Sequence, residues 1–223
     1  MIMPEYSLSH GDDHEEGFVS VLKYRAAWLG GCYDALVAVS RLGRIFKREV
    51  LSSIDLSEAL RIVDIGCGTG MLMHEAGKLY AGIEMIGIDP DPEMLRRAKH
   101  RTSQLKNRIS LVRGSSTRID LPDQSVDVCF STLTFHHLSR VRKQKTTVEA
   151  HRILKNGGKL VIADFRRIRF PFLSKFFLFE NQEYLRENFE GVVSDVIKQA
   201  GFLMIREIRR PFSLVSIIIA EKH

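Results

Sequence analysis

The sequence predicts an α/β fold built on a mostly parallel sheet, and three observations carry that prediction. The apolar run Ile62-Val63-Asp64-Ile65 leads straight into alternating glycines at Gly66, Gly68 and Gly70. A second run, Ile86-Gly87-Ile88-Asp89, closes on an acidic residue about twenty positions later, the spacing of two adjacent strands joined by a helix. From residue 61 onward, short apolar runs alternate with stretches of helical periodicity.

The elements follow in order. Strands are expected at 61–65, 84–89, 109–113, 127–131 and 159–164, with helices at 70–80, 91–106 and 140–154 between them. Parallel neighbours need crossover connections, so this alternation implies a doubly wound sheet with helices on both faces. A helix at 188–200 then stops at Gly201, and two apolar runs, 202–209 and 213–221, flank Pro211-Phe212. A turn there makes the last pair an antiparallel hairpin. Upstream, the first 14 residues are polar and read as a flexible arm, and apolar residues recur with helical spacing from Phe18 to Leu29. After Gly30-Gly31, the stretch from Tyr33 to Leu51 reads as one or two helices broken near Gly43.

At 223 residues and 44% hydrophobic content, the chain is long enough for one full core and is expected to be a single domain. The N-terminus, Met1-Ile2-Met3-Pro4-Glu5, carries no basic region or sustained apolar stretch, so a soluble cytoplasmic protein is expected. Cys32, Cys67 and Cys129 are odd in number and widely spaced, which predicts neither a disulfide framework nor a zinc site. His10 and His14 flank two aspartates, but Gly11 and the terminal position favour a flexible tail, and no metal is expected. The net charge of +6 is concentrated late in the chain, at Arg140, Arg142, Lys143 and Lys145 before a helix and at Arg166, Arg167 and Arg169 after a strand. A solvated surface is the expected reading of these clusters; attraction for nucleic acid or anionic lipid is the alternative.

The glycine loop narrows the ligand. A dinucleotide fingerprint needs G-x-G-x-x-G, but the third glycine comes one position early and Met71 stands where that fingerprint would place it. No Gly-Lys-Ser/Thr follows, which excludes a phosphate-binding P-loop. Asp64 adds negative charge where phosphates would be repelled and a sulfonium or ammonium would be attracted.

Val63-Asp64-Ile65-Gly66-Cys67-Gly68-Thr69-Gly70 resembles motif I of the class I S-adenosylmethionine (SAM)-dependent methyltransferases. Further segments resemble the same family in order. Gly87-Ile88-Asp89-Pro90-Asp91-Pro92-Glu93-Met94-Leu95 is similar to its second strand and following helix, Leu121-Pro122-Asp123-Gln124-Ser125-Val126-Asp127 to the entry of its fourth strand, and Arg152-Ile153-Leu154-Lys155-Asn156-Gly157-Gly158-Lys159-Leu160 to the turn into its fifth. The resemblance implies a Rossmann-like seven-stranded sheet in three α/β/α layers. A shorter likeness, Tyr33-Asp34 with Ser40 through Arg48, is to the N-terminal region of ubiquinone/menaquinone-biosynthesis methyltransferases and implies a helical lid at 15–55, with a plain packing helix pair as the alternative, between the arm at 1–14 and the core at 56–223.

The same resemblance implies SAM as cofactor, S-adenosylhomocysteine (SAH) as product, and a set of site residues. Gly66, Cys67, Gly68 and Gly70 let the backbone approach the cofactor, with amides near the following helix start meeting its carboxylate. Asp64 is expected at the amino-acid end. Asp89, with Pro90 beside it, is expected to accept hydrogen bonds from both ribose hydroxyls, a helix N-cap being its alternative role. Ser115 and Ser116 stand where relatives carry an aspartate, and are expected at the adenine pocket. Ser131 and Thr132 are expected against the methionine portion, and His136 or His137, His136 first, as a general base where the acceptor holds a proton. No Asn/Asp-Pro-Pro-Tyr/Phe tetrapeptide follows the fourth strand, which argues against amino groups of nucleic-acid bases as acceptors. Five phenylalanines between Phe170 and Phe179 suggest a pocket for a hydrophobic small-molecule acceptor or a peripheral membrane contact. Methylation of carbon or oxygen on such an acceptor is the expectation. The alternatives are an RNA or protein methyltransferase and a non-catalytic SAM-binding module.

Overall fold

The computed structural model describes residues 43–165, 191–209 and 215–223. The chain divides into units of residues 1–43 and 44–223, and every element below belongs to the second. His10, His14, Cys32, the arm, most of the expected lid, the cluster at Arg166–Arg169, the aromatic segment and the turn at Pro211-Phe212 lie outside the described residues.

Helix α1 (Arg44–Leu51) turns Phe46, Val50 and Leu51 inward. Strand β1 (Arg61–Ile65) follows, then α2 (Met71–Leu79), β2 (Glu84–Asp89), α3 (Pro92–Thr102) and β3 (Ile109–Arg113). Beyond them come β4 (Val126–Thr132), a 3₁₀ turn (Phe135–His137), α4 (Arg140–Ile153), β5 (Leu154–Phe165), α5 (Val192–Gln199), β6 (Leu203–Arg209) and β7 (Val215–Glu221). The seven strands form one sheet in the order β3-β2-β1-β4-β5-β7-β6. β1 through β5 run parallel to one another, and β7 runs antiparallel to both β5 and β6.

This order explains the composition of the strands. β1 and β4 are central, covered on both faces, and almost wholly buried, whereas edge strand β3 leaves Ser110, Val112 and Arg113 exposed. The chain winds outward from β1 through β2 to β3, then crosses back to place β4 on the other side of β1. The loops leaving β1 and β4 therefore diverge at their carboxyl ends, opening the crevice where doubly wound sheets bind ligands.

Local chemistry fixes the ends of the elements. α3 begins at Asp91, whose carboxylate accepts from the amides of Glu93 (2.8 Å) and Met94 (3.4 Å), with Pro92 in the first turn. It stops at Thr102, short of the expected 106, where the hydroxyls of Thr102 and Ser103 bond back to the carbonyls of Ala98 and His100. β5 begins five residues before the predicted strand because the Asn156-Gly157-Gly158 segment stays within it, pinned by Gly157 N–H to Lys222 O and Lys222 N–H to Gly158 O. The basic run Arg140, Arg142, Lys143 and Lys145, expected ahead of a helix, forms the first turns of α4 itself, and Lys143 is fully buried. Part of that expected surface patch is therefore interior.

The Leu-Pro-Asp-Gln-Ser-Val-Asp stretch has a structural task. Asp127 accepts from the amides of Leu60 (3.0 Å) and Arg61 (2.8 Å) and from Lys155 (2.6 Å), joining the starts of β1, β4 and β5. Arg152 at the end of α4 donates to the carbonyls of Ile119 and Leu121 and to Asp123 and Glu149, holding the connection into β4 against the helix.

Candidate active site

At the carboxyl edge of the sheet, the chain leaves β1 through Gly66, Gly68 and Gly70, all with positive φ. The loop is tied to the end of β2: the amides of Gly66 and Cys67 both donate to Ile88 O (2.8 and 3.0 Å), and that of Gly68 to Asp89 Oδ2 (2.9 Å). Gly70 N–H closes back on Cys67 O at 2.9 Å. Two glycines matter for different reasons. A Cβ on Gly66 would overlap the side chain of Thr134, whose hydroxyl donates to Gly66 O at 3.3 Å. A Cβ on Gly68 would meet nothing within 4 Å, so this glycine presents bare backbone to open space.

Three strands end in buried carboxylates around this loop: Asp64 on β1, Asp89 on β2 and Asp164 on β5. Among the described residues neither oxygen of Asp64 has a hydrogen-bond partner, although the residue is only 1% exposed. Burial pushes its pKa up to about 7; Lys47 opposes the shift and Asp89 adds to it. Lys47, half-buried on α1, donates to Thr132 Oγ1 and is drawn towards Asp64 and Asp164, while burial pulls its pKa down to about 8. Asp89 accepts from Gly68 N–H on one oxygen and from Asp91 N–H (2.9 Å) on the other. The N-cap role open to Asp89 is filled by Asp91, so each Asp89 oxygen retains lone-pair capacity for a further donor. Pro90 is exposed beside it, and Cys67 is a buried thiol whose ionisation burial, Asp64 and Asp89 all oppose.

The far side of the crevice is the end of β4. Ser131 is buried and its hydroxyl donates to Ile65 O (3.0 Å), joining β4 to β1 at the crevice floor. Thr132 carries the Lys47 hydrogen bond, and Leu133 follows in a left-handed conformation (φ 57°), a strained geometry that re-aims the chain. In the next turn, the buried His136 places Nδ1 2.8 Å from Asp164 Oδ1, and its amide donates to Oδ2 at 3.1 Å. Burial opposes ionisation of Asp164, but the His136 charge and hydrogen bond and the amides of Phe165 and His136 outweigh it and hold the pKa below the ordinary value. With Asp164 ionised, Nδ1 is the donor of this pair, and in the neutral form of the imidazole the lone pair lies on Nε2. His137 packs against His136, with ring centroids 3.9 Å apart and planes tilted by 44°, but is itself exposed.

The remaining expected residues sit after β3. Ser115 Oγ lies 2.9 Å from Thr117 Oγ1 and accepts from Thr117 N–H in a local turn, while Ser116 Oγ pairs with Thr146 Oγ1 of α4 at 2.8 Å. Electrostatic coupling links Asp64, Asp89, Cys67 and Lys47, and Asp164 joins His136 to that group. Sequence reasoning missed Lys47, Asp164 and Thr134. Asp164 had a signal, since Ile162-Ala163-Asp164 closes its strand on an acid as β1 and β2 do. Lys47 had one too, a cation beside the inward-facing Phe46 and Val50. Thr134 had none, because only the folded loop brings it over Gly66.

These groups suit a nucleoside cofactor with an ammonium-bearing amino-acid end. Asp64 offers two unpartnered acceptors, Asp89 further acceptor capacity for a diol, and Gly68 an open backbone.

Comparisons with known proteins agree. Residues 63–162 match a methyltransferase domain family. The chain is 35% identical over 144 residues to the ubiquinone/menaquinone biosynthesis C-methyltransferase UbiE of Geobacter sp. (strain M21), covering 62% of this chain and 60% of that protein. It is 30% identical over 115 residues to an uncharacterized methyltransferase of Geobacillus thermodenitrificans, covering 52% and 51%. The chain thus spans less than two thirds of the length of these curated relatives. Among solved structures, human N-acetylserotonin methyltransferase in complex with SAM superposes with a TM-score of 0.66 at 21% identity, over 84% of this chain and 54% of that one. A SAM-dependent methyltransferase from Aquifex aeolicus gives 0.59 at 25% identity, over 78% and 88%. The sheet order, the glycine loop with its acidic strand ends and the match over residues 63–162 agree with one another, and in all three the chain resembles the class I SAM-dependent methyltransferases.

Proposed function

We propose that the protein transfers a methyl group from SAM to a small, hydrophobic acceptor, with an electron-rich ring carbon of a quinol-like molecule as the first choice and a hydroxyl oxygen as the second. The observation that carries the SAM part is Asp64, a buried carboxylate with two unpartnered oxygens beside a glycine loop open at Gly68. The carbon-acceptor part is supported by the likeness to UbiE, whose name states C-methylation in quinone biosynthesis.

When bound, SAM supplies a methyl group activated by its sulfonium. Asp64 binds and orients the amino-acid end through its ammonium, and Asp89 takes the ribose hydroxyls. Ser131 and Thr132 form the wall along the methionine portion, and Ser115 and Ser116 lie on the adenine side. His136, held by Asp164 with its lone pair on Nε2, accepts the proton that a ring carbon or hydroxyl gives up on methylation.

The test is incubation with methyl-labelled SAM and a series of hydroquinones, with transfer RNA and protein as controls. Label in the organic-extractable acceptor is the expected result; label in RNA or protein alone would overturn the acceptor assignment. His136→Gln is expected to lower turnover by about 10²-fold or more while leaving SAH affinity within about twofold. Unchanged turnover would remove the base assignment. His137→Gln, at an exposed position, is expected to have the smaller effect of the two.

A further inference from the structure

Resting on the SAM reading, we infer that Lys47 receives the α-carboxylate of the cofactor's methionine end while Asp64 receives the adjacent α-ammonium, which makes α1 part of the cofactor site. The cofactor's amino-acid end is a zwitterion, and this edge of the sheet is strongly acidic. Asp64, Asp89 and Asp164 are all buried there, so an entering carboxylate is repelled unless a cation meets it. Lys47 is that cation, placed by α1 within the influence of both Asp64 and Asp164.

Four of the five amides of the loop from Gly66 to Gly70 are already engaged within the protein. Those of Gly66 and Cys67 are committed to Ile88 O, that of Gly68 to Asp89 and that of Gly70 to Cys67 O. The Lys47 ammonium has three donors, and among the described residues only one is engaged, by Thr132 Oγ1. Its backbone is well anchored. Phe46, Val50 and Leu51 are buried around it, and Arg44 and Arg48 reach the buried Glu75 of α2 at 3.2 and 2.6 Å. The unpartnered acceptor on β1 and the donor on α1 thus match the two charges of an α-amino acid.

The test compares ligands that differ in their amino-acid end, by calorimetry on the full chain and on Lys47→Met, with Lys47→Arg as the charge-conserving control. Lys47→Met is expected to weaken SAH binding by about 10- to 100-fold and to leave 5′-methylthioadenosine, which lacks the amino-acid end, within about twofold. Lys47→Arg should recover most of the loss. On the unmodified chain, decarboxylated SAM should bind more weakly than SAM by a similar factor, a comparison that needs no variant to fold. Equal losses for SAH and 5′-methylthioadenosine, an unchanged SAH affinity, or tighter binding by Lys47→Met would overturn the assignment while leaving the SAM reading intact. Failure of the unmodified chain to bind SAH at all would overturn both.

Discussion

Asp64 and Lys47 are displaced from their ordinary ionisation in opposite directions, Asp64 up to about 7 and Lys47 down to about 8, with burial the main cause for each. Cofactor binding needs Asp64 charged to meet the ammonium, so affinity should rise with pH up to about 7; it needs Lys47 charged to meet the carboxylate, so affinity should fall above about 8. Asp89, Asp164 and His136 face the same space from β2, β5 and the turn after β4, and Cys67 stays a neutral thiol. SAH titrations from acid to alkaline pH should therefore trace a bell, with Asp64→Asn flattening its acid limb and Lys47→Met its alkaline limb. Stability has its own signature. Because folding raises the Asp64 pKa from 3.8 to about 7, the unfolded chain releases this proton first, and the Asp64 contribution to stability falls across that window. Urea melts should show that fall in the parent and lose it in Asp64→Asn. At this scale the sequence was informative wherever a residue's task is set by its own strand: Asp64 and Asp89 end apolar runs and announce themselves. Thr134 and Ser116 act through partners far along the chain, on Gly66 and Thr146, which no local pattern reveals.

Among the elements, the glycine loop separates packing from ligand access. Gly66→Ala would place a methyl group in the Thr134 side chain at φ +72°, and should cost about 2–4 kcal/mol in a denaturant melt. Gly68→Ala meets no neighbour, so its cost should stay near the strain of a positive φ alone, about 1–2 kcal/mol, while SAH affinity falls more than stability does. Equal stability losses in the two variants would contradict this division. The element order was readable because strand and helix periods differ, and the first three strands match their expected bounds residue for residue. Other bounds depended on hydrogen bonds from elsewhere: Ser103 ends α3 early, and Lys222 extends β5 by pairing with Gly157 and Gly158. Lys143 was misread as surface because a basic run looks solvated unless a neighbouring element covers it.

Across the whole molecule, the sheet order places the carboxyl ends of β1 and β4 side by side at its centre, with β2 and β5 flanking them, and so gathers Asp64, Asp89, Thr132 and Asp164 at one edge. Distant sequence segments become one site because of that topology alone. Among the described residues no helix is long and apolar enough to cross a membrane. The expected cofactor residues Asp64 and Asp89 were legible as strand endings, which the sheet order brings to one edge. The proposed acceptor side was less so, because His136 meets Asp164, contributed by a different strand, only in the fold. The claim on which the rest depends is that this edge binds SAM through Asp64. Calorimetric titration of SAH into the unmodified chain and into Asp64→Asn near pH 7.5 tests it most directly. Saturable single-site binding in the parent, weakened about 10-fold or more in the variant, is the predicted result. No binding by the parent at millimolar ligand, or equal affinity in the two proteins, would contradict it.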